Sequence, residues 1–166
     1  LDASLSMGGA LKVYNQTIDS ESYTAFAVDL GAQFAPGVEG LMLGLAVQNA
    51  GTSVADASLP LLAKAGGAYL LPFAGGENDA WLAVLDVDVP FGDTGNLSVR
   101  MGSEYAFGEI GAVRAGYKVK DASGIEGLAG LTAGAGVNLG TLTLDYALAT
   151  YGDLGLTHQV MAKVAF

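Results

Sequence analysis

The predicted fold follows from residues 157–166, which read THQVMAKVAF. Apolar and polar residues alternate there, and the apolar set ends on an aromatic side chain: Val160, Ala162, Val164 and Phe166. The closing strand of a bacterial outer-membrane β-barrel has this pattern, because it presents apolar side chains to lipid and polar ones to the lumen. The sequence therefore predicts that these four residues form a C-terminal assembly strand and that more strands of this kind precede it.

The composition supports a membrane barrel. Of 166 residues, 51% are hydrophobic and 14% are charged, whereas a typical globular chain has about 25% charged residues. No stretch approaches the roughly 18 consecutive apolar residues of a membrane helix. Backbone polar groups must be satisfied internally in lipid, which leaves a closed barrel. We expect one all-β domain over residues 1–166, an antiparallel transmembrane β-barrel of the bacterial outer membrane. A chain that begins at Leu1 without a signal sequence is a mature form, a proteolytic product or an incomplete N-terminus.

Strand-like segments separated by turn residues recur along the chain. Most are about ten residues long, close to the 9–11 that a tilted strand needs to cross a bilayer. Ten are predicted: 3–14, 22–34, 40–49, 60–71, 79–89, 96–107, 111–119, 128–139, 142–149 and 157–166. The segment 60–71 is apolar on both faces and carries the weakest signal. A soluble up-and-down barrel is the alternative, but it needs many charges on its outer face, and this chain has few.

Charged residues inside the segments share the parity of the polar face. We predict that eleven of them line the lumen: Lys12, Asp29, Lys64, Asp86, Asp88, Arg100, Glu104, Arg114, Lys118, Asp145 and Lys163. The signs are nearly balanced, which favours cross-strand salt bridges in a narrow interior over an ion-selective pore lined by one sign. The remaining charges lie in turns or at strand ends, where solvation is a simpler explanation than calcium binding.

The hairpin around Gly108–Ile110 allows a sharper prediction. Both flanking segments keep their apolar sets on one face only if the loop has an odd number of residues. Phe107 then pairs with Gly111, and Glu104 pairs with Arg114. We expect these two charged residues to form an ion pair inside the barrel.

Catalytic groups are sparse, so we expect no enzymatic activity. The only histidine, His158, shares parity with the apolar face and should point outward near a rim. Asp86 and Asp88 have the parity of a carboxylate dyad, although salt-bridge partners are the simpler interpretation. The sequence shows no metal-ligand cluster, cofactor motif or nucleic-acid patch. Aromatic residues near segment ends suggest interfacial girdles: Phe34, Phe73, Trp81, Phe91, Phe107, Tyr151 and Phe166.

Short glycine-rich blocks along most of the chain resemble the PorV/PorQ family of outer-membrane proteins. The blocks are 26–31 (FAVDLG), 43–49 (LGLAVQN), 113–117 (VRAGY), 130–140 (GLTAGAGVNLG), 144–147 (LDYA) and 151–158 (YGDLGLTH). Members of that family resemble fatty-acid transporter barrels of about fourteen strands. The resemblance implies that this chain is the C-terminal portion of such a barrel, or that it closes a smaller one.

The resemblance also implies a function and its partners. It favours a non-enzymatic scaffold or accessory in protein export or surface attachment. The expected partners are outer-membrane lipid, the barrel-assembly machinery and, through export, a secretion translocon or surface proteins. Transport of hydrophobic small molecules and a structural subunit of an envelope lattice or fibre remain as alternatives.

Overall fold

The computed structural model describes residues 3–19, 21–54, 57–72, 75–92, 95–120 and 129–165. Apart from one 3-10 turn at Gly152–Leu154, the regular structure in these ranges is β-strand. The strands are β1 (Ser4–Ile18), β2 (Glu21–Ala35), β3 (Leu41–Gly51), β4 (Ser53–Val54), β5 (Ala57–Ser58), β6 (Leu62–Leu71), β7 (Ala80–Pro90), β8 (Ser98–Phe107), β9 (Gly111–Lys120), β10 (Leu131–Asn138), β11 (Leu142–Thr150) and β12 (Leu156–Val164).

Ten of these strands form a single antiparallel sheet in the order β1-β2-β3-β6-β7-β8-β9-β10-β11-β12. Strands β4 and β5 make a separate two-stranded hairpin within the connection from β3 to β6. Over the described residues β1 and β12 are the two edges of the sheet and do not pair with each other, so the sheet is open. None of the helical structure in those ranges is long and apolar enough to cross a membrane.

All ten predicted strands are present, including the weakly signalled segment 60–71, which forms β6. Some predicted boundaries are wrong. The first strand was expected to end at residue 14, but β1 continues to Ile18 and pairs in register with β2 up to Glu21. Polar residues 15–17 read as a turn because they break the alternation, yet they lie in β1 and pair with residues 22–24 of β2. The β4–β5 hairpin was missed, because two-residue strands leave no periodic signal.

The predicted register of the β8–β9 hairpin is confirmed. Phe107 is opposite Gly111, and Glu104 is opposite Arg114. The turn between the strands has three residues, and Gly108 adopts a φ of 54°, in the left-handed region where glycine carries no steric penalty. An odd loop of this kind keeps the apolar residues of both strands on one face.

Both faces of the sheet are exposed, and the interior core is very small. Buried apolar residues are confined to Ala25, Ala27 and Ala112 among those described. The accessible surface is 11569 Å², whereas a compact monomer of 16.7 kDa has about 7,600 Å². Large apolar side chains are left uncovered, with Leu11 at 86% and Val160 at 79% exposure. The sheet therefore needs a surrounding medium or a partner to cover its apolar residues.

Candidate functional site: the charged face of the sheet

Directly opposed residues in an antiparallel ladder point to the same face of a sheet. The ladders connect Lys64 to Asp88, Asp86 to Arg100 and onward to Lys118. Followed across all ten strands, they place the eleven charged residues predicted to line a lumen on one face. This surface is called the charged face. That it lines a lumen remains a prediction.

The opposite surface is called the apolar face, and it carries no Asp, Glu, Lys or Arg side chain in the described parts of the ten strands. Its central residues are large and exposed, as in Leu45 at 66% and Leu85 at 51%. Val160, Ala162 and Val164 of the predicted assembly strand lie on it. Phe166, the fourth residue of that prediction, lies outside the described residues. The sequence alternation thus separates charge from apolar surface over the whole sheet.

Arg114 holds together three strands of the charged face. Its Nε forms an ion pair with Oε2 of Glu104 on β8, and its Nη1 lies 3.1 Å from Oδ1 of Asp145 on β11. The predicted pairing of Glu104 with Arg114 is therefore present, and the sequence did not reveal its extension to Asp145. Asp145 leans over Gly136, its opposite residue on β10, where a Cβ would overlap Oδ1. Glycine at position 136 makes room for the second half of this triad.

A second ion pair crosses the ladder diagonally. Arg100 is directly opposite Asp86, but its Nη2 lies 2.5 Å from Oδ2 of Asp88. Asp88 is only 8% exposed, and its Oδ1 has no hydrogen-bond partner among the described residues. Its opposite residues are Lys64 and Ser98, which supply positive charge and a buried hydroxyl nearby. Asp86 and Asp88 thus occupy different environments, and Asp88 takes part in an ion pair.

The third ion pair lies at a β-bulge. Lys12 Nζ lies 2.6 Å from Oδ2 of Asp29, and it donates a hydrogen bond of 2.9 Å to Oδ1 of Asn49. Asn49 has a φ of 60°, and its backbone N–H donates to Oδ1 of Asp29 at 2.8 Å. The register between β2 and β3 shifts at this point, between Val28 and Leu30. Asp29 therefore replaces the ladder bond that the bulge removes.

The remaining charges of the set are spread over the same surface. Lys118 is opposite Arg100, and Lys163 is opposite Thr143 on the last two strands. Two hollows lie on this face, with volumes of about 760 and 510 Å³. Lys64 and Asp86 line the larger hollow.

An aromatic cluster occupies the apolar face near the β6–β7 turn. Trp81 and Tyr105 contact edge to face at 6.2 Å, and Tyr105 contacts Phe107 at 5.0 Å. The Tyr105 hydroxyl donates to Oδ2 of Asp79 at 2.7 Å and accepts the N–H of Gly75 at 2.7 Å, while Trp81 Nε1 donates to Ser103. The apolar parts of the rings thus lie on the outer surface of the apolar face, and their polar atoms have hydrogen-bond partners. Phe73, another predicted girdle residue, lies outside the described residues.

His158 lies on the apolar face, as its parity indicated. Its Nδ1 is 2.7 Å from the hydroxyl of Tyr146, so the imidazole has a partner on that otherwise apolar surface. It lies on the face of the sheet opposite to the carboxylates of the charged face. Within the described ranges no three His, Cys, Asp or Glu residues are grouped closely enough to hold a metal ion.

No protein-family model, curated protein or solved structure matches this chain.

Proposed function

We propose that this chain forms the wall of a bacterial outer-membrane β-barrel, with the apolar face in lipid and the charged face inside. We further propose that it acts as a non-enzymatic scaffold or accessory of protein export, of the PorV/PorQ type. The observation that carries the membrane location is the complete separation of charge onto one side of a ten-stranded sheet.

The apolar face is what supports lipid as the surrounding medium. Residues such as Leu45, Leu85 and Val160 are exposed on it, and each would gain about 1.5–3 kcal/mol from leaving water. A soluble protein covers such residues with a second layer, and the described chain has none. Hydrocarbon covers them without further structure, provided that the charges point the other way.

The ion pairs on the charged face support a scaffold over an open ion channel. Six basic and five acidic residues share this surface, and Arg114, Arg100 and Lys12 each bind a carboxylate on a neighbouring strand. A selective pore needs rings of one sign that are available to the permeating ion. Here both signs share the surface, and three of the six basic side chains are paired with carboxylates.

The link to the PorV/PorQ family rests on the sequence blocks that resemble it. Several of these blocks contain the residues that hold the charged face together: Asp29, Asn49, Arg114, Gly136 and Asp145. The resemblance therefore includes part of the cross-strand network, such as the Arg114–Asp145 pair, but not Lys12, Glu104 or the Asp88–Arg100 pair.

Affinity purification from the native envelope tests the export role. We expect a large-barrel translocon or surface-attached cargo to co-purify with the tagged protein. The Phe166 deletion variant, which we expect to accumulate unfolded, is the control for contacts made by misfolded protein. If the native protein floats with outer membranes but brings down neither class of partner, the export role is wrong and the membrane location stands.

Transport of hydrophobic small molecules is the second candidate, and one observation favours it. Leu82 and Val84 lie on the charged face and line the 510 Å³ hollow. Lipid that co-purifies after extraction in mild detergent, and that is lost in Val84→Asn, would support this role. Native mass spectra of the extracted protein without bound lipid would count against it.

A further inference from the structure

The diagonal ion pair of Arg100 leaves two other charged side chains of the charged face unpaired. Direct opposition would pair Lys64 with Asp88 and Asp86 with Arg100. Because Arg100 binds Asp88 instead, neither Lys64 nor Asp86 forms an ion pair with any residue that the structure describes. An ammonium group and a carboxylate therefore remain available on the neighbouring strands β6 and β7.

Both side chains line the larger hollow of the charged face, whose volume is about 760 Å³. Its floor contains two directly opposed glycines, Gly44 on β3 and Gly66 on β6. The carboxylate of Asp86 leans over this floor, since a Cβ at Gly66 would overlap Oδ1 of Asp86. Sites for small molecules are cavities of about 300–1,000 Å³ with a few convergent polar groups. The hollow has a volume in this range and two such groups.

Packing within the sheet does not account for glycine at position 44. Its φ lies outside the left-handed region, and an added Cβ would meet no atom closer than the carbonyl oxygen of Ala32, at 4.0 Å. Glycine weakens the interior of a strand, and one reason for its presence there is the close approach of a ligand. The bare floor keeps the hollow open beside Lys64 and Asp86.

We propose that this hollow binds a small zwitterionic solute of dipeptide size, with its ammonium group at Asp86 and its carboxylate at Lys64. Lys64 and Gly66 are two residues apart on β6, a distance of about 7 Å along a strand. The two ends of an extended dipeptide are about 7 Å apart as well. The side-chain amides of Gln33 and Gln48 also line the hollow, and they supply donors and acceptors for the peptide group.

An ethanolamine phospholipid headgroup carries the same two charges, but the position of the hollow favours a solute. A bound lipid would have to bring its acyl chains to the charged face, whereas the large exposed apolar side chains lie on the opposite face. The inference goes beyond the export role, because it concerns a small ligand and no protein partner. Binding can therefore be measured on the detergent-extracted protein, independently of export.

Equilibrium dialysis of the extracted protein with radiolabelled alanyl-alanine tests the site. Two blocked analogues compete with this probe: N-acetyl-alanyl-alanine lacks the ammonium group, and alanyl-alanine amide lacks the carboxylate. We expect each analogue to bind at least about tenfold more weakly than the zwitterion, since each loses a charged hydrogen bond. Lys64→Met should bind the zwitterion and the amide equally. Asp86→Asn should bind the zwitterion and the acetylated analogue equally.

Two further variants separate the site from the fold. Lys163→Met removes a charge of the same face outside the hollow, so it should leave binding unchanged. Gly44→Val fills the floor without changing a charge. It should abolish binding while circular dichroism shows that the sheet is retained.

Three results would overturn the proposal: equal binding of the zwitterion and its blocked analogues, full binding by Gly44→Val, or no saturable binding by the parent protein. Glycerophosphoethanolamine is the probe for a lipid headgroup. Its binding without binding of alanyl-alanine would also overturn the proposal and identify a headgroup as the ligand. Loss of the export role in the co-purification experiment would leave all of these binding results unchanged.

Discussion

Glu104 and Arg114 stand directly opposite each other on β8 and β9, and Arg114 also reaches across β10 to Asp145 on β11. The side chains of this triad are 35–47% exposed. An ion pair with this access to water is worth about 0.5–1 kcal/mol, whereas breaking a dry buried pair costs about 3–5 kcal/mol. The coupling free energy of the pair therefore indicates how accessible the charged face is to water in the native protein.

A double-mutant cycle on Glu104→Gln and Arg114→Met should give a coupling of about 0.5–1 kcal/mol, measured by urea unfolding in lipid vesicles. Lys163→Met is the control on the same face, and its substitution should not couple to Glu104. A coupling above about 3 kcal/mol would indicate a dry interior and contradict the expected hydration.

Leu85→Arg tests the lipid contact at the middle of β7. Near the bilayer midplane an arginine on the lipid side costs about 2–4 kcal/mol. Val84→Arg is the matched control, because the adjacent residue lies at the same depth on the charged face. We expect the control to lower the free energy of unfolding by less than about 1 kcal/mol. Equal losses of unfolding free energy in the two variants would show that the apolar face does not contact lipid while the charged face contacts water.

Trp81 reports the depth of the aromatic cluster, because it is the only tryptophan in the chain. Its indole N–H is bonded to Ser103, and the neighbouring Tyr105 hydroxyl is held by Asp79 in the turn. Such amphipathic rings locate at the membrane interface. Fluorescence quenching should be strongest with lipids brominated near the headgroup and weak with lipids brominated near the chain ends. Stronger quenching by lipids brominated near the chain ends would place Trp81 deep in the bilayer and contradict the interfacial location.

Asn49 adopts a left-handed backbone conformation and also forms side-chain hydrogen bonds. Substitutions by glycine and by alanine separate these two contributions to stability. Asn49→Gly keeps the left-handed backbone and loses the side-chain bonds to Lys12 and Pro60, which should cost about 1–2 kcal/mol. Asn49→Ala also adds the steric penalty at a φ of 60°, so it should cost about 1 kcal/mol more. Thermal unfolding of the two variants measures the difference. Equal stability would mean that the bulge does not depend on this backbone conformation.

Deletion of Phe166 tests the assembly role predicted for the C-terminal strand. We expect the deletion variant to accumulate unfolded in the periplasm, because it lacks the terminal aromatic residue that the barrel pattern places at the end of its closing strand. Heat-modifiable migration on a denaturing gel separates folded from unfolded protein. Gln159→Ala, a change on the charged face of the same strand, should assemble normally.

Alternation was enough to predict the ten main strands and the face of each charged residue, because a period of two fixes which side a residue takes. The Glu104–Arg114 pair could be predicted because the loop between β8 and β9 is short and has an odd number of residues. The partners of Asp29 and Asp88 could not be predicted in this way. The bulge in β2 and β3 shifts the register by one residue, and no residue type in the sequence marks its position. Arg100 forms its ion pair with Asp88, which is diagonal to it, and not with Asp86, which is directly opposite.

The consecutive strand order has a consequence for how the sheet is made. The ten strands follow one another in the sheet in the order in which they occur along the chain, with only the small β4–β5 hairpin between β3 and β6. The connections between neighbouring strands of the sheet have at most ten residues, at 52–61 and 121–130. Closing such short loops costs little entropy, and hairpins form within about 1–10 μs. The sheet can therefore grow one hairpin at a time from any starting pair.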